Sequence, residues 1–427
     1  VRISHLYDTI AAPSPSMPIS THQSITGFRA DDVGPAPCDS GAVARDVANA
    51  GKVMPPAAPC GINQEKQGDR KMSGLSKTSK TIIAAAAICG LSSGAGAADE
   101  PTIGVVVPTL DSQFWNRDIT FLQTGATQLG VHLIVLNADN KPDQMTQAAQ
   151  DLVARKVDGI ISVGYWSTAP ATIRFAKRAN IPVIIVDTYP SFSPQTGDHT
   201  NYIAFVGPSD FDSGYNMGKA LLAAVQPGPD GKKVIGVVNG TAGTSVAIDR
   251  RKGFQKAVDE DGHVRIVGEV DGNFVRDQSQ TAFESLYQGH PDITGVWCGN
   301  DPTAMGVLAA LKSKGKMPGK DVIVVGMDLN PENVEEVKNG EQIFDIGGHW
   351  VQGGIALEIM YNYLHGLKIP ADQATIKLKL LPMTKADVPR YERDFPGGQP
   401  NYDFKAHSKV YTKDAPLSPA YEIHYSQ

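Results

Sequence analysis

From Thr102 onward the chain alternates short, nearly continuous apolar runs with segments whose apolar residues recur at helical spacing. The first block of runs is TIGVVVP (102–108), VHLIVLN (131–137), DGIISVG (158–164), IPVIIVD (181–187) and YIAFVG (202–207). Unbroken apolar stretches of this length predict strands covered on both faces, the state of a parallel sheet. Between them, Met145, Ala149, Leu152 and Val153 fall on one face of a helix predicted over 143–155. A Pro/Gly cluster, QPGPDGK at 226–232, interrupts the alternation. It resumes with KVIGVVNG (233–240), VRIVGEV (264–270), ITGVWCG (293–299), DVIVVGMD (321–328) and FDIGG (344–348). A helix over 301–315 aligns Ala304, Val307, Leu308 and Leu311. The predicted fold class is α/β, with two doubly wound parallel-sheet lobes joined by a hinge.

The region before the first strand has a different pattern. Residues 72–97 begin at Met72, carry Lys77 and Lys80, run apolar from Thr81 to about Leu91, and end in the small residues Ala95 and Ala97. A positive zone, a short apolar zone and an A-x-A site in that order predict a cleaved secretory signal peptide. The apolar zone is far shorter than the roughly 20 residues of a spanning helix. Cleavage is expected after Ala97 and the mature protein in the periplasm. Residues 1–71 are rich in Pro, Ala, Gly and Ser without periodicity, which predicts disorder or an untranslated leader. Val1 is what a GTG codon read literally would leave, so translation is expected to start at Met72.

Composition narrows the function classes. Of 427 residues, 41% are hydrophobic and 20% charged, the balance of a soluble globular chain. The formal charge of −6, with both signs scattered, offers no basic face for nucleic acid and no polybasic membrane anchor. Cys38, Cys60, Cys89 and Cys298 form no metal-ligand spacing, and only Cys298 would remain after cleavage. No metal or other cofactor is expected.

In open α/β sheets ligands bind outside the carboxyl ends of the strands. Those positions here are Thr109 to Trp115, Tyr165 and Trp166, Asp187 and Thr188, Asn239 to Ser245, Asn300 and Asp301, Asp328 to Asn330, and Gly348 to Trp350. They are polar, aromatic and charged without a nucleophile, base and orienting group. Carboxylates and amides beside flat rings suit a ligand with hydroxyls in its ring plane and C–H groups on its faces. Singly, an Asp or Asn after a strand is more often a helix cap. Jointly, at the same end of successive strands, they predict a binding crevice.

The segments VVVPTLDSQFW, DLVARKVDGIIS, ANIPVIIVD, NGTAGTSVAIDRRKGFQKAV, VWCGNDPTAMGVLAAL and VVGMD resemble periplasmic sugar-binding proteins of the ribose and galactose type. The resemblance spans most of 101–366 and implies two lobes joined by three crossovers that close on a ligand. It places the N-terminal lobe at 98–206 plus about 349–377 and the C-terminal lobe at 207–348 plus about 378–395. By the same likeness, ligand contacts fall to Ser112, Phe114, Trp115, Asp187, Arg250, Phe274, Asn300 and Asp328. Trp166, Thr188 and His349 join them from the strand ends. Two departures stand out. Thr188 occupies the position where the ribose-like pattern has arginine, and the amide expected near Gly348 is missing, with His349 and Trp350 beside it. The expected ligand is a sugar or polyol, and the expected partners are the membrane permease and ATPase subunits of an ABC importer. Presentation of bound ligand to a chemoreceptor is the alternative role. A monomer is expected.

Other roles fit less well. GTAGTS at 240–245 lacks the Lys-Ser/Thr pair of a P-loop and the G-x-G-x-x-G of a dinucleotide site. Cys298 lies inside the apolar run VWCG, where a buried inert thiol is expected rather than a nucleophile. A repressor of the lactose type needs a helix-turn-helix where this chain carries its export signal. The extension at 396–427, rich in Pro, Gly and aromatics, is read as an irregular wrap over the lobes.

Overall fold

In the computed structural model, residues 100–419 and 423–425 are described; the expected signal peptide at 72–97 and leader at 1–71 lie outside them. The first five strands are β1 (Thr102–Val107), β2 (His132–Asn137), β3 (Gly159–Val163), β4 (Val183–Val186) and β5 (Tyr202–Pro208). Between and after them run α1 (Gln113–Leu129), α2 (Pro142–Ala154), α3 (Ala169–Arg178) and α4 (Asp210–Ala224). The second series is β6 (Lys233–Asn239), α5 (Ser245–Asp261), β7 (Val264–Asp271), α6 (Arg276–Gly289), β8 (Gly295–Cys298), α7 (Asp301–Ser313), β9 (Ile323–Val325), α8 (Pro331–Asn339) and β10 (Asp345–Gly347). The chain then forms α9 (Gln352–Leu364), β11 (Thr375–Leu378), β12 (Leu381–Met383), α10 (Val388–Asp394) and the short α11 (Phe404–His407).

One sheet has the order β11-β5-β4-β3-β1-β2 and is parallel throughout. The other, β7-β6-β8-β9, is also parallel. Parallel bridges from Val325 to Phe344 and from Asp328 to Gly347 bring β10 alongside β9, and β12 pairs antiparallel with β10. Val183, Ile184, Ile185 and Val186 of β4, and Val296, Trp297 and Cys298 of β8, are buried on both strand faces, which is why these strands read as continuous apolar runs. In each sheet the first strand of its series, β1 or β6, lies between two later ones. Both sheets therefore reverse their strand order there, the switch point where a doubly wound fold leaves a crevice.

The late elements serve both halves. Strand β11 extends the first sheet, whereas β12 covers β10 of the second. Past α10, Tyr402 and Phe404 are buried against Phe121 of α1, with ring centroids 5.7 and 5.0 Å away. The extension packs on the first lobe there.

Candidate functional site

A cavity of about 640 Å³ opens where the carboxyl ends of both sheets converge. Its first wall comes from the β1–α1 turn, with Thr109, Asp111, Ser112, Phe114 and Trp115, and from Tyr165 after β3 and Asp187 after β4. The opposite wall carries Arg250 of α5, Phe274 after β7, Asn300 after β8, and Asp328 and Asn330 after β9. His349 follows β10 between them. Rings form a belt across this space. Phe114 meets Trp115 edge-on at 4.9 Å and His349 at 4.4 Å, and Tyr165 lies 6.4 Å from Phe274 with planes 26° apart.

Three wall residues, and Leu329 beneath the wall, sit in backbone conformations that side chains seldom adopt. Asp187 has φ 66°, Phe274 φ 58°, Asp328 φ 137° and Leu329 φ 58°. Strain of this kind persists only where surrounding structure holds it, and it concentrates at ligand clamps.

The buried charges are arranged unevenly. Arg250 Nε donates to Asp210 Oδ1 at 2.8 Å, and its Nη1 donates to the Gly299 carbonyl at 3.0 Å. Both members of this ion pair are buried. Asp187 accepts from Gln352 Nε2 and from the Thr188 hydroxyl, each at 3.3 Å, and from the Tyr165 hydroxyl. Burial raises its carboxyl pKa while the nearby Arg250 opposes the rise. Burial, then the neighbouring Asp301 carboxylate, pushes Asp328 well above the usual carboxylate range. His349 Nε2 lies 3.5 Å from Asp328 Oδ1. Burial and the positive charges of Arg250 and Arg117 hold that imidazole well below its ordinary pKa, so it is neutral. The inner site thus joins Asp187, Asp210 and Asp328 to one guanidinium. Such a cavity offers carboxyl oxygens to hydroxyl donors, and its guanidinium is already paired with Asp210.

The profile of the periplasmic binding protein domain matches residues 103–368, well over half of the chain. This chain belongs to that family. Its sequence is 31% identical over 303 residues to the ribose import binding protein of Salmonella typhimurium, covering 70% of this chain and 97% of that one. It is 26% identical over 266 residues to the galactofuranose-binding protein of Escherichia coli, covering 61% and 81%. Among solved structures, a periplasmic sugar-binding protein from Pseudomonas fluorescens superposes with a TM-score of 0.65 at 26% identity, covering 72% and 94%. The fold expected from the apolar pattern, two doubly wound lobes, is the type I periplasmic binding protein fold.

In this periplasmic binding protein, Ser112, Phe114, Trp115, Asp187, Arg250, Phe274, Asn300, Asp328 and His349 all line one cavity. Thr188 does not line it. Its hydroxyl donates to Asp187 at 3.3 Å, from behind the wall. The side chain of Trp166 lies outside the described residues. One turn past Gly348, the Gln352 amide is buried behind Asp187 and donates to it without lining the cavity. Asn300 is both a helix cap and a wall residue: its Oδ1 accepts from the Thr303 N–H at 3.1 Å in a reciprocal capping box. Sequence reasoning missed Asp210, although a buried arginine demands a carboxylate and Asp210 opens the helix after β5.

Proposed function

We propose that this protein captures a neutral sugar or polyol outside the cytoplasm and delivers it to the permease and ATPase subunits of an ABC importer. The observation that carries this reading is the pairing of acceptors and a donor across one ring-lined crevice. Asp187 and Asp328 accept from ligand hydroxyls, Arg250 donates to hydroxyl or ring oxygens, and Phe114, Trp115 and Phe274 cover the C–H faces. Relatives whose names specify ribose, galactofuranose and apiose support the substrate class. Export through residues 72–97 puts the site where such a ligand arrives. The chain crosses between the sheets between β5 and α4, between β10 and α9, and between β11 and β12, and these three crossovers act as the hinge. Ligand leaves chemically unchanged, because no nucleophile and base meet in the crevice wall.

The surplus of carboxyl groups sets the charge of the ligand. Sugar phosphates and sugar acids would bring an anion into a closed, desolvated space where Arg250 is already paired with Asp210, and are rejected. The test is a thermal-shift and calorimetric panel of D-ribose, D-galactose, L-arabinose, D-allose and myo-inositol beside ribose 5-phosphate and gluconate. A neutral member at a hundredfold excess over its Kd should stabilise the protein by about 2.7 kcal/mol. Binding of the anions alone, or of nothing in the panel, would sink the proposal.

A further inference from the structure

The loop that presents Asp328 is held from beneath by two carboxyl groups that do not reach the cavity. Asp301, at the start of α7, and Asp345, at the start of β10, are both fully buried. Asp301 Oδ2 accepts from the Asn330 N–H at 2.7 Å. Asp345 Oδ1 accepts from the Ile346 N–H at 2.7 Å and from the Leu329 N–H at 3.4 Å. One oxygen of each carboxyl, Asp301 Oδ1 and Asp345 Oδ2, meets no donor within hydrogen-bond distance among the described residues, and the two side chains face each other beneath the loop with the Gln342 amide beside Asp301. Two carboxylates cannot satisfy each other's oxygens; a carboxylic acid and a carboxylate can. From the other side, Arg117 Nη1 of α1 donates to the Leu329 carbonyl. The loop Asp328–Asn330 is strained at two successive residues and clamped above and below.

We propose that Asp301 and Asp345 share one proton, and that this acid–carboxylate bond positions Asp328 for the ligand. The positioning half rests on the reading of Asp328 as a ligand contact; the shared proton rests on two unpartnered buried oxygens and on the successive Leu329 and Asn330 N–H groups that hold the two carboxyls side by side. Around the pair stand Asp328 on the loop, Cys298 at the end of β8, Tyr391 from α10 and Tyr425, with the amide of Gln342 beside Asp301. Burial raises both carboxyls. When the proton leaves to solvent, two buried anions face each other, and their repulsion drives apart the acceptors that fix the Leu329 and Asn330 N–H groups.

The substitution Asp345→Asn replaces Oδ2 by an amide nitrogen while Oδ1 still accepts from Leu329 and Ile346. It makes the shared hydrogen permanent. The double change Asp301→Asn with Asp345→Asn removes it, because one amide must then aim its nitrogen at another N–H donor. Hydrogen exchange at Leu329 and Asn330 reads the clamp without ligand, compared at about pH 6 and about pH 9, on either side of the raised range. Wild type should lose about tenfold or more in protection at the higher pH, Asp345→Asn should keep it, and the double variant should lack it at both. Calorimetry with the tightest binder of the neutral sugar panel should follow the same order. Equal pH sensitivity in Asp345→Asn and wild type overturns the shared proton. Protection that moves as expected while sugar affinity stays level overturns the positioning role. Failure of every sugar to bind overturns that role together with the ligand assignment, with the exchange data still deciding the proton.

Discussion

At the scale of single residues the site combines strain with charge. Asp187 holds φ 66° and already accepts three protein hydrogen bonds, which leaves its carboxylate about one lone pair to offer. Asn tolerates the left-handed region, so Asp187→Asn should fold but place an amide N–H where an acceptor is needed. A charge-assisted hydrogen bond in a closed site is worth ~1.5–3 kcal/mol, so affinity for the bound sugar should fall about tenfold to a hundredfold by calorimetry. Arg250→Ala behaves differently, because Arg250 is paired with the buried Asp210. It leaves a buried carboxylate alone, so unfolding free energy should drop by roughly 3–5 kcal/mol as well as affinity. Cys298→Ala is the control. The thiol is fully buried in β8 and raised well above its usual pKa by burial, so sugar affinity should not change.

At the scale of elements, helices α4 and α5 cross so closely that their glycines decide the approach. A Cβ on Gly214 would lie 1.9 Å from the Arg250 carbonyl, and one on Gly253 would lie 2.0 Å from the Phe211 carbonyl. This contact brings Asp210 of α4 onto Arg250 of α5. Gly253→Ala must push the helices apart, so it should lower Tm and weaken sugar binding together, although residue 253 does not line the cavity. That consequence was not legible in the sequence, where a glycine within a helical pattern reads only as a cost of about 1 kcal/mol. The strands were legible, since β4 and β8 are buried on both faces and their apolar runs are unbroken. So were the wall residues that immediately follow a strand, because doubly wound topology puts strand ends together. Asp210, Gln352 and the Asp301–Asp345 pair were not, because each acts through a partner more than 15 residues away in the chain. Thr188 sits behind the other strand-end residues for a related reason. Position after a strand places the backbone at the crevice, but at Asp187 the chain turns through a positive φ and sends the next side chain back.

At the scale of the whole molecule, buried carboxyls and contacts between the lobes set the response to pH and ligand. Burial raises Asp118 to about 8 and Asp210, Asp345 and Glu358 to about 7. In the unfolded chain these groups titrate near 4, so between about pH 4 and pH 8 the native state holds more protons than the unfolded one. Stability should therefore fall between about pH 4 and pH 8 and level off above, so a Tm profile should slope downward from about pH 5 to pH 8 and flatten towards pH 9. Closure is read from a different set of contacts. Tyr189, just after β4, donates its N–H to Ser245 Oγ at 3.1 Å and its hydroxyl to Asp249, both on α5 of the other lobe. Tyr189 does not line the cavity, so these bonds favour the closed form without touching ligand. Apparent affinity scales with the fraction of protein in the binding-competent form. Tyr189→Phe removes the Asp249 bond, worth roughly 1 kcal/mol, and should weaken sugar binding by up to about fivefold. Solution scattering of the ligand-free variant should give a larger radius of gyration than wild type, and saturating sugar should bring both to one compact value. Unchanged radius and affinity in Tyr189→Phe would mean that closure is set by the ligand alone.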